Sequence, residues 1–229
     1  SGTINGVGQP NQGETAIASA TTLPFPPSGD DCSNAPVTTV PVGAPGSPIT
    51  TTISGDNSTA SGGDCMDPGD LGWWEAFQID AYAKVTVDLC GTDPVQRPDW
   101  VTVFTACGCV GAYGRDYFNR GTTCGDFNIS MTFLGLPPGT YYYPVYTVPG
   151  DKRCGNTGAT CTSSAQCTGG FPCTDNLHPY VMHISAEAVL GSCCNTQTET
   201  CTDDVAEGDC GGLNERWHGG LECCETECR

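Results

Sequence analysis

Basic residues are scarce in this sequence. Lysine and arginine together number 8 against 26 aspartates and glutamates, which gives a formal net charge of -18 at pH 7. A surface of that sign repels phosphate backbones, which argues against nucleic acid as a partner. The charge favours a highly soluble chain or one that binds cations.

Long apolar runs are also missing. No segment approaches the roughly 20 apolar residues that a membrane helix needs, so we expect no membrane span. The chain opens with Ser1 and shows neither an initiator methionine nor a basic-then-apolar leader. From this we expect a mature, processed form of a secreted protein.

Catalytic signatures are absent from the order of residues. The sequence contains no Gly-x-Ser-x-Gly elbow, His-Glu-x-x-His, Cys-His signature or phosphate-binding glycine loop. Among the three histidines, His183 falls in a strand pattern and His218 in a cysteine-rich turn. We interpret both as structural and expect no enzymatic activity.

Cysteine, by contrast, is abundant. A count of 17 in 229 residues is typical of oxidising compartments, so we expect an extracellular location. Because the count is odd, at least one thiol is free or bonded to another molecule. We assign Cys224 to that role, with an intermolecular disulfide and a buried free thiol both open. The cysteines assigned to disulfides are Cys32, Cys65, Cys90, Cys107, Cys109, Cys124, Cys154, Cys161, Cys167, Cys173, Cys193, Cys194, Cys201, Cys210, Cys223 and Cys228.

Composition and alternation predict an all-β fold. Glycine (31) and proline (17) are frequent, which favours short strands joined by turns. The clearest signal runs from Gly72 to Leu89, where Trp73, Phe77 and Ile79 share one face of a strand and Val85, Val87 and Leu89 share one face of the next. We predict a hairpin there.

Further strand candidates flank this stretch. They are residues 31–40, 49–53, 99–105, 127–133, 140–148 and 180–185. Phe127, Ile129, Met131 and Phe133 alternate with polar residues, as in a half-buried strand. With roughly eight such runs we predict a two-sheet sandwich. Pro144 should lie at a sheet edge or a bulge, because proline cannot donate to the ladder.

Six short motifs occur in the order found in a known family. They are Asp-Cys-Ser-Asn-Ala (31–35), Gly-Asp-Asn-Ser-Thr (55–59), Trp-Trp-Glu-Ala-Phe (73–77), Val-Thr-Val-Asp-Leu-Cys (85–90), Asp-Trp-Val-Thr-Val-Phe (99–104) and Pro-Pro-Gly-Thr-Tyr-Tyr-Tyr (137–143). Residues 31–190 therefore resemble the bacterial pre-peptidase C-terminal domain. The resemblance implies a jelly-roll-like β-sandwich, an accessory module that in some members binds calcium or a polymeric substrate. This chain departs from the family at residues 113–124, which lack an acidic cluster, and at residues 154–173.

Residues 154–173 form a cysteine-rich insert in that pattern. The segment holds four cysteines and almost no apolar side chains, so burial cannot stabilise it. Two local disulfides would, each contributing roughly 2 to 4 kcal/mol. Zinc is disfavoured, because the cysteine spacings are longer than those of typical Cys-x2-Cys pairs.

Residues 191–229 form a second unit. A segment this short rarely folds on its core alone, so we expect cross-links to stabilise it. Its cysteines resemble the small cassettes that follow such sandwiches in secreted bacterial proteins, with Cys224 as the extra one. Cys193 and Cys194 should have different partners, as should Cys223 and Cys224, because adjacent cysteines meet disulfide geometry poorly.

Residues 1–30 are predicted to form an extended N-terminal arm. Its middle can extend as a strand with Ile17 and Leu23 on one face, and the segment Pro24-Phe25-Pro26-Pro27 stiffens its exit. One interpretation is an edge strand on its own domain. The other is a strand donated to a neighbouring subunit, with Ile17, Leu23 and Phe25 at the interface.

Three further groups are candidate binding or modification sites. Asp56, Asp64, Asp67 and Asp70 lie among glycines, where calcium competes as an interpretation with solvated acids. Asn57 and Asn128 match the N-glycosylation acceptor, and Asn128 is expected on the outward side of its strand. Trp74, Trp100, Tyr142 and Tyr146 would form either an exposed aromatic face for sugar rings or a partner, or part of a buried layer, which we favour.

The functional expectation is a structural one. We expect a secreted subunit of an extracellular filament, without a cofactor unless calcium binds, assembled with copies of itself head to tail through the arm. The alternative is an accessory module that binds a surface polysaccharide, a protein polymer or calcium.

Overall fold

The computed structural model describes residue 29 and residues 31–62, 71–93, 95, 102–114, 117–120, 123–147, 150, 152–155, 157, 159–175 and 177–223. Strands dominate these residues, and their helices are single 3-10 turns. In the first half of the chain the strands are β1 (Val37–Thr39), β2 (Ile49–Asp56), β3 (Ser61–Gly62), β4 (Leu71–Ile79), β5 (Ala83–Asp88), β6 (Thr102–Ala106), β7 (Val110–Gly114) and β8 (Tyr117–Arg120). In the second half they are β9 (Ile129–Leu136), β10 (Gly139–Thr147), β11 (Lys152–Cys154), β12 (Cys173–Asp175), β13 (Pro179–Ala188), β14 (Gly191–Asn195), β15 (Thr200–Val205) and β16 (Glu215–Gly219).

Two large sheets enclose one hydrophobic core. The first has the order β1-β4-β10-β6-β7, with β3 also paired to β4, and the second has the order β2-β13-β5-β9-β8. Phe77 and Tyr141 of the first sheet belong to the same buried cluster as Val87, Met131 and Ile184 of the second. The prediction of an all-β, sandwich-like fold is confirmed.

The central stretch is not a hairpin, and that prediction is wrong. Both strands exist, but β4 lies in the first sheet and β5 in the second. Phe77 and Val85 therefore belong to one buried core from two different sheets instead of lying side by side in one sheet. The chain crosses between the layers at residues 80–82, so that each strand turns its apolar face inward.

Two details of the later strands also differ from expectation. Strand β9 begins at Ile129, whereas Phe127 is exposed, with a φ of 68°. Pro144 lies in β10, opposite Trp74 of β4, and β10 has β6 on its other side, where the register pair is Tyr142 with Phe104. Strand β10 lies between β4 and β6, and its register with β4 passes through Pro144 without a shift, so Pro144 has neither the predicted edge position nor a bulge in that pairing.

The cysteine-rich insert is held by two local disulfides, as predicted. Cys154 bonds to Cys167 and Cys161 to Cys173. The short strands β11 and β12 pair at its base. Three of these sulfur atoms lie close enough together to suggest a metal group, but all of them are committed to disulfides, which leaves no thiolate ligand.

The C-terminal unit is a three-stranded sheet with the order β15-β14-β16. Cys193 bonds to Cys210 and Cys201 to Cys223. Cys194 is also disulfide-bonded, so the adjacent cysteines 193 and 194 have different partners, as predicted. The disulfide-rich C-terminal unit is confirmed, while Cys224 and Cys228 lie outside the described residues.

This unit packs on the crossing between the two sandwich layers. The Tyr82 and Trp217 rings meet edge to face, with centroids 4.9 Å apart. The Tyr82 backbone N–H donates to Glu207 Oε2 at 3.1 Å, and the Trp217 indole N–H donates to the Val205 carbonyl at 2.8 Å. The residues that join β4 to β5 thus also fix the C-terminal unit.

Two further disulfides fasten the sandwich. Cys32, just before β1, bonds to Cys107 after β6, and Cys90 bonds to Cys124. Cys109 is disulfide-bonded as well. Cys65 lies outside the described residues, as does the predicted N-terminal arm apart from Gly29.

Candidate functional site

Among the described strands, β2 lies at the end of its sheet. It pairs with β13 along eight register pairs, from Pro179 with Asp56 to Ala186 with Ile49. Within the described ranges no strand pairs with its other side. Its sequence, Ile-Thr-Thr-Thr-Ile-Ser-Gly-Asp, contains neither the proline nor the lysine that natural edge strands use against pairing. Among the described strands, β13 is therefore the one partner of β2.

The facing edge of the first sheet is covered in pieces. Strand β3 pairs with the start of β4, and β1 pairs with Ala76, Phe77 and Gln78. Between them the Trp74 N–H donates to the Gly29 carbonyl at 2.5 Å. The root of the N-terminal arm is thus fixed at this edge.

Gly29 needs to be glycine for two reasons. Its φ of 98° lies in the left-handed region. A Cβ atom there would also lie 2.4 Å from Cε2 of the Trp73 ring. The backbone at Gly29 therefore passes very close to the Trp73 ring.

A groove of about 680 Å³ lies between the two edges. Pro36, Ile53 and Trp73 give it apolar walls, and Glu75 lies at its floor. The remaining lining residues are Thr38, Ser54, Gly55, Asp56, Ser58 and Thr59. The groove is bordered along one side by β2, so a strand added to that edge would place alternate side chains into it.

The floor of the groove holds a buried acidic pair. Glu75 is only 2% exposed, as is Tyr180, and the Tyr180 hydroxyl donates to Glu75 Oε1. Glu75 Oε2 is buried and has no hydrogen-bond partner among the described residues. Such an unsatisfied buried atom is rare in native proteins and calls for an explanation.

Burial sets the ionisation of this pair. Burial raises the pKa of Glu75 above its ordinary value, although hydrogen bonds from the Tyr180 and Trp73 side chains act to lower that pKa. Burial and the neighbouring Glu75 also raise the pKa of Tyr180, so its hydroxyl stays protonated. At the end of the groove the Ser58 hydroxyl and backbone N–H lower the pKa of Asp56.

Most of the residues predicted for the subunit interface and for calcium binding lie outside the residues that the structure describes. Ile17, Leu23 and Phe25 are among them, as are Asp64, Asp67 and Asp70. Asp56 is described at the end of β2, where its carboxylate accepts a hydrogen bond from the Ser58 N–H at 2.8 Å. The four acids therefore cannot be assembled into one site from the described residues.

The N-glycosylation prediction is wrong. Asn57 and Asn128 are both fully buried. Asn57 Oδ1 accepts from the His178 N–H at 2.7 Å, and Asn128 Nδ2 donates to the Thr92 carbonyl at 2.8 Å. A glycan has no room at either amide, and Asn128 precedes β9 instead of pointing outward from it.

Two of the aromatic and histidine candidates, Trp74 and His183, are packed against or hydrogen-bonded to neighbouring residues of the sandwich. Trp74 is fully buried against Phe104 and Cys32, so it belongs to a buried layer and not to an exposed face. His183 lies on β13 between Thr52 Oγ1, at 3.0 Å from Nδ1, and the Cys90 carbonyl, at 3.2 Å from Nε2. Trp100 and the side chain of Tyr146 lie outside the part of the chain that the structure describes.

Sequence reasoning missed the groove and its acidic floor. Glu75 stands between Trp74 and Ala76 in a stretch where Trp74, Ala76 and Phe77 are all buried. A charged residue inside such an apolar stretch is itself a signal, because buried acids are rare unless they have a role. Its partner Tyr180 lies 105 residues away, which no local pattern reveals.

Comparison with family models, with curated proteins and with solved structures gave no match. Within the described residues, no helix is long enough and apolar enough to cross a membrane.

Proposed function

We propose that this protein is a secreted structural subunit that polymerises head to tail, with the N-terminal arm of one copy added to strand β2 of the next. The observation that supports this best is the outer edge of β2, which pairs with no strand in the described part of the chain and borders a partly apolar groove. Strand addition supplies affinity through the main chain and specificity through alternate side chains.

The arm and the edge match in length and character. Strand β2 has 8 residues and spans about 27 Å at about 3.4 Å per residue. Residues 15–23, Thr-Ala-Ile-Ala-Ser-Ala-Thr-Thr-Leu, carry no charge and span a similar length when extended. Their small and β-branched side chains suit a strand that lies close to another backbone.

The prolines favour a neighbouring copy over the same chain as the acceptor. Pro24, Pro26 and Pro27 separate the pairing segment from Gly29, which is fixed at the groove of its own subunit. Proline holds its own φ and keeps the preceding residue extended. We therefore expect these prolines to favour a segment that extends away from Gly29 over one that turns back into the same groove.

A contact of this kind joins two different surfaces. Repeated head to tail, it gives an open filament when the rotation does not close. The disulfides in every layer of the subunit suit a polymer exposed outside the cell.

The test uses the arm itself. Deletion of residues 1–27 should leave a folded monomer that no longer polymerises, as seen by sedimentation and negative-stain electron microscopy under non-reducing conditions. Ile17→Lys with Leu23→Lys in the full chain should do the same. The matched control, Ala18→Lys with Thr22→Lys, changes the opposite face of the strand and should still form fibres. Fibres that persist after the deletion would refute the proposal.

The second candidate is an accessory module that binds a polysaccharide. The observation that favours it is the groove wall, where the half-buried Trp73 stands beside the polar residues Ser54, Asp56 and Thr59. Such a module would be monomeric with its arm intact and would bind oligosaccharides measurably. Loss of that binding on Trp73→Ala would support it.

A further inference from the structure

The C-terminal unit brings two disulfides into direct contact. Cys201 bonds to Cys223, and Cys194 is bonded to a different cysteine. The Sγ atoms of Cys194 and Cys201 nevertheless lie only 3.4 Å apart. In thiol–disulfide exchange a thiolate attacks one sulfur of a disulfide and expels the other. A thiolate formed at Cys201 would therefore already be in contact with its target.

The backbone allows these two cysteines to bond to each other. Strands β14 and β15 are antiparallel, and Cys194 lies directly opposite Cys201 in their register. Opposite residues of an antiparallel pair have Cα atoms about 4.5 to 5.5 Å apart. Disulfides span Cα separations of about 4.4 to 6.8 Å. A bond between Cys194 and Cys201 can therefore replace the present pairing with little movement of either strand.

Exposure decides where an external thiol attacks first. Cys201 and Cys223 are both half-buried, whereas Cys194 is fully buried. The two residues before Cys223, Leu221 and Glu222, are exposed. Solvent therefore reaches the bond between Cys201 and Cys223, and Cys194 reacts only after Cys201 has been released.

We infer that the bond between Cys201 and Cys223 is a thiol-exchange site and that Cys194 is its internal acceptor. An external thiolate bonds to Cys223 Sγ, the bond to Cys201 breaks, and Cys201 leaves as a thiolate. Cys201 then bonds to Cys194 Sγ, and the former partner of Cys194 leaves as a thiolate. The proton lost by the external thiol is taken up by that last sulfur. Two disulfides exist before and after the exchange, so no oxidant or reductant is consumed.

The second step makes the modification of Cys223 lasting. At an ordinary disulfide the released thiolate stays beside the mixed disulfide and can expel the external thiol again. Here the new bond to Cys194 consumes the Cys201 thiolate, so the external group remains on Cys223. Because the cysteine count is odd, a second copy with a free thiol can also supply the attacking group. The exchange would then join two copies covalently.

The experiment incubates the intact chain with reduced glutathione, alkylates the remaining thiols in acid and maps the disulfides by mass spectrometry. Glutathione should be found on Cys223, together with a new bond between Cys194 and Cys201. Glutathione on Cys201, no glutathione in the C-terminal unit, or an unchanged partner of Cys194 would overturn the inference. The same mapping without glutathione distinguishes the thiol sources, because a second copy as the source would leave Cys223 joined to a cysteine of another chain.

Two double variants locate the exchange, and each removes both members of a disulfide, so that no new thiol is created. Cys201→Ala with Cys223→Ala should lose glutathione uptake by the C-terminal unit. The matched control, Cys193→Ala with Cys210→Ala, removes the neighbouring disulfide and should still form the bond between Cys194 and Cys201. Uptake by the first variant equal to that of the parent would contradict the assignment. These measurements require no polymer, so their outcome is independent of the proposed function.

Discussion

At the scale of single residues, Gly55 makes room for the acidic pair beneath β2. A Cβ atom at Gly55 would lie 2.3 Å from the Tyr180 hydroxyl oxygen and 2.8 Å from Glu75 Oε1. Neither neighbour can move freely, because both are buried. The absence of a side chain at this position is therefore a requirement of the groove floor.

Gly55→Ala should destabilise the fold by about 1 to 3 kcal/mol, the usual cost of overpacking a buried site. Chemical denaturation would measure the free energy of unfolding. Gly114→Ala is the control, because nothing lies within 4 Å of a Cβ atom there, and it should stay within about 0.5 kcal/mol of the parent. Equal stabilities for the Gly55 variant and the parent would contradict the packing described for Tyr180.

Glu75 should make stability depend on pH. Burial raises its folded-state pKa above the ordinary value of 4.5, so the folded state holds the proton to higher pH than the unfolded chain does. The resulting stabilisation is complete below the ordinary pKa and is lost as pH rises through the folded-state pKa. Glu75→Gln cannot titrate and lacks this contribution.

The measurement compares Glu75→Gln with the parent by denaturation between about pH 3 and pH 8. All other titrating groups are shared, so they largely cancel in the difference. The parent should lose stability relative to the variant as pH rises. A difference that stays constant with pH would show that the pKa of Glu75 is not raised.

At the scale of elements, alternation predicted which residues form strands but not which strands become neighbours. Phe77 and Val85 alternate with period two whether β4 and β5 pair in one sheet or face each other across the core. The correct arrangement depends on contacts with β10 and β13, which come much later in the chain. The hairpin prediction failed for that reason.

The disulfides of the insert were predictable because the segment has no other means of stabilisation. One short loop with almost no apolar side chains contains four cysteines, which are Cys154, Cys161, Cys167 and Cys173. The groove was not predictable in this way. It joins Ile53 of β2 to Glu75 of β4 across the boundary between two sheets, and strand patterns do not specify such a juxtaposition.

The disulfides should differ in their effect on stability. Cys32 and Cys107 are separated by 75 residues and Cys161 and Cys173 by 12, so the chain-entropy model assigns them about 4.5 and about 3 kcal/mol respectively. The long-range bond also fastens the sandwich, whereas the short one lies within the insert. Cys32→Ala with Cys107→Ala should therefore lower the global free energy of unfolding by more.

Chemical denaturation and limited proteolysis would separate the two effects. Cys161→Ala with Cys173→Ala should expose the insert to protease while the sandwich remains folded. An insert variant that unfolds as a whole, at a lower denaturant concentration than the Cys32→Ala, Cys107→Ala variant, would contradict this division.

At the scale of the whole molecule, β1 and β2 end the two sheets among the described strands, and the groove lies beside them. The C-terminal unit packs elsewhere, at the crossing marked by Tyr82. The arm begins beside the open groove at Gly29. The proposed head-to-tail assembly requires this combination of a groove beside β2 and an arm that ends next to it.

The most direct measurement is hydrogen exchange along β2 in the assembled full chain and in the chain that lacks residues 1–27. Strand addition should protect the amides on the outer side of residues 49–56 in the assembly, while the truncated protein exchanges them rapidly. The amides already paired with β13 should be protected in both. Equal exchange along β2 in the two proteins would contradict the addition of a donated strand at this edge.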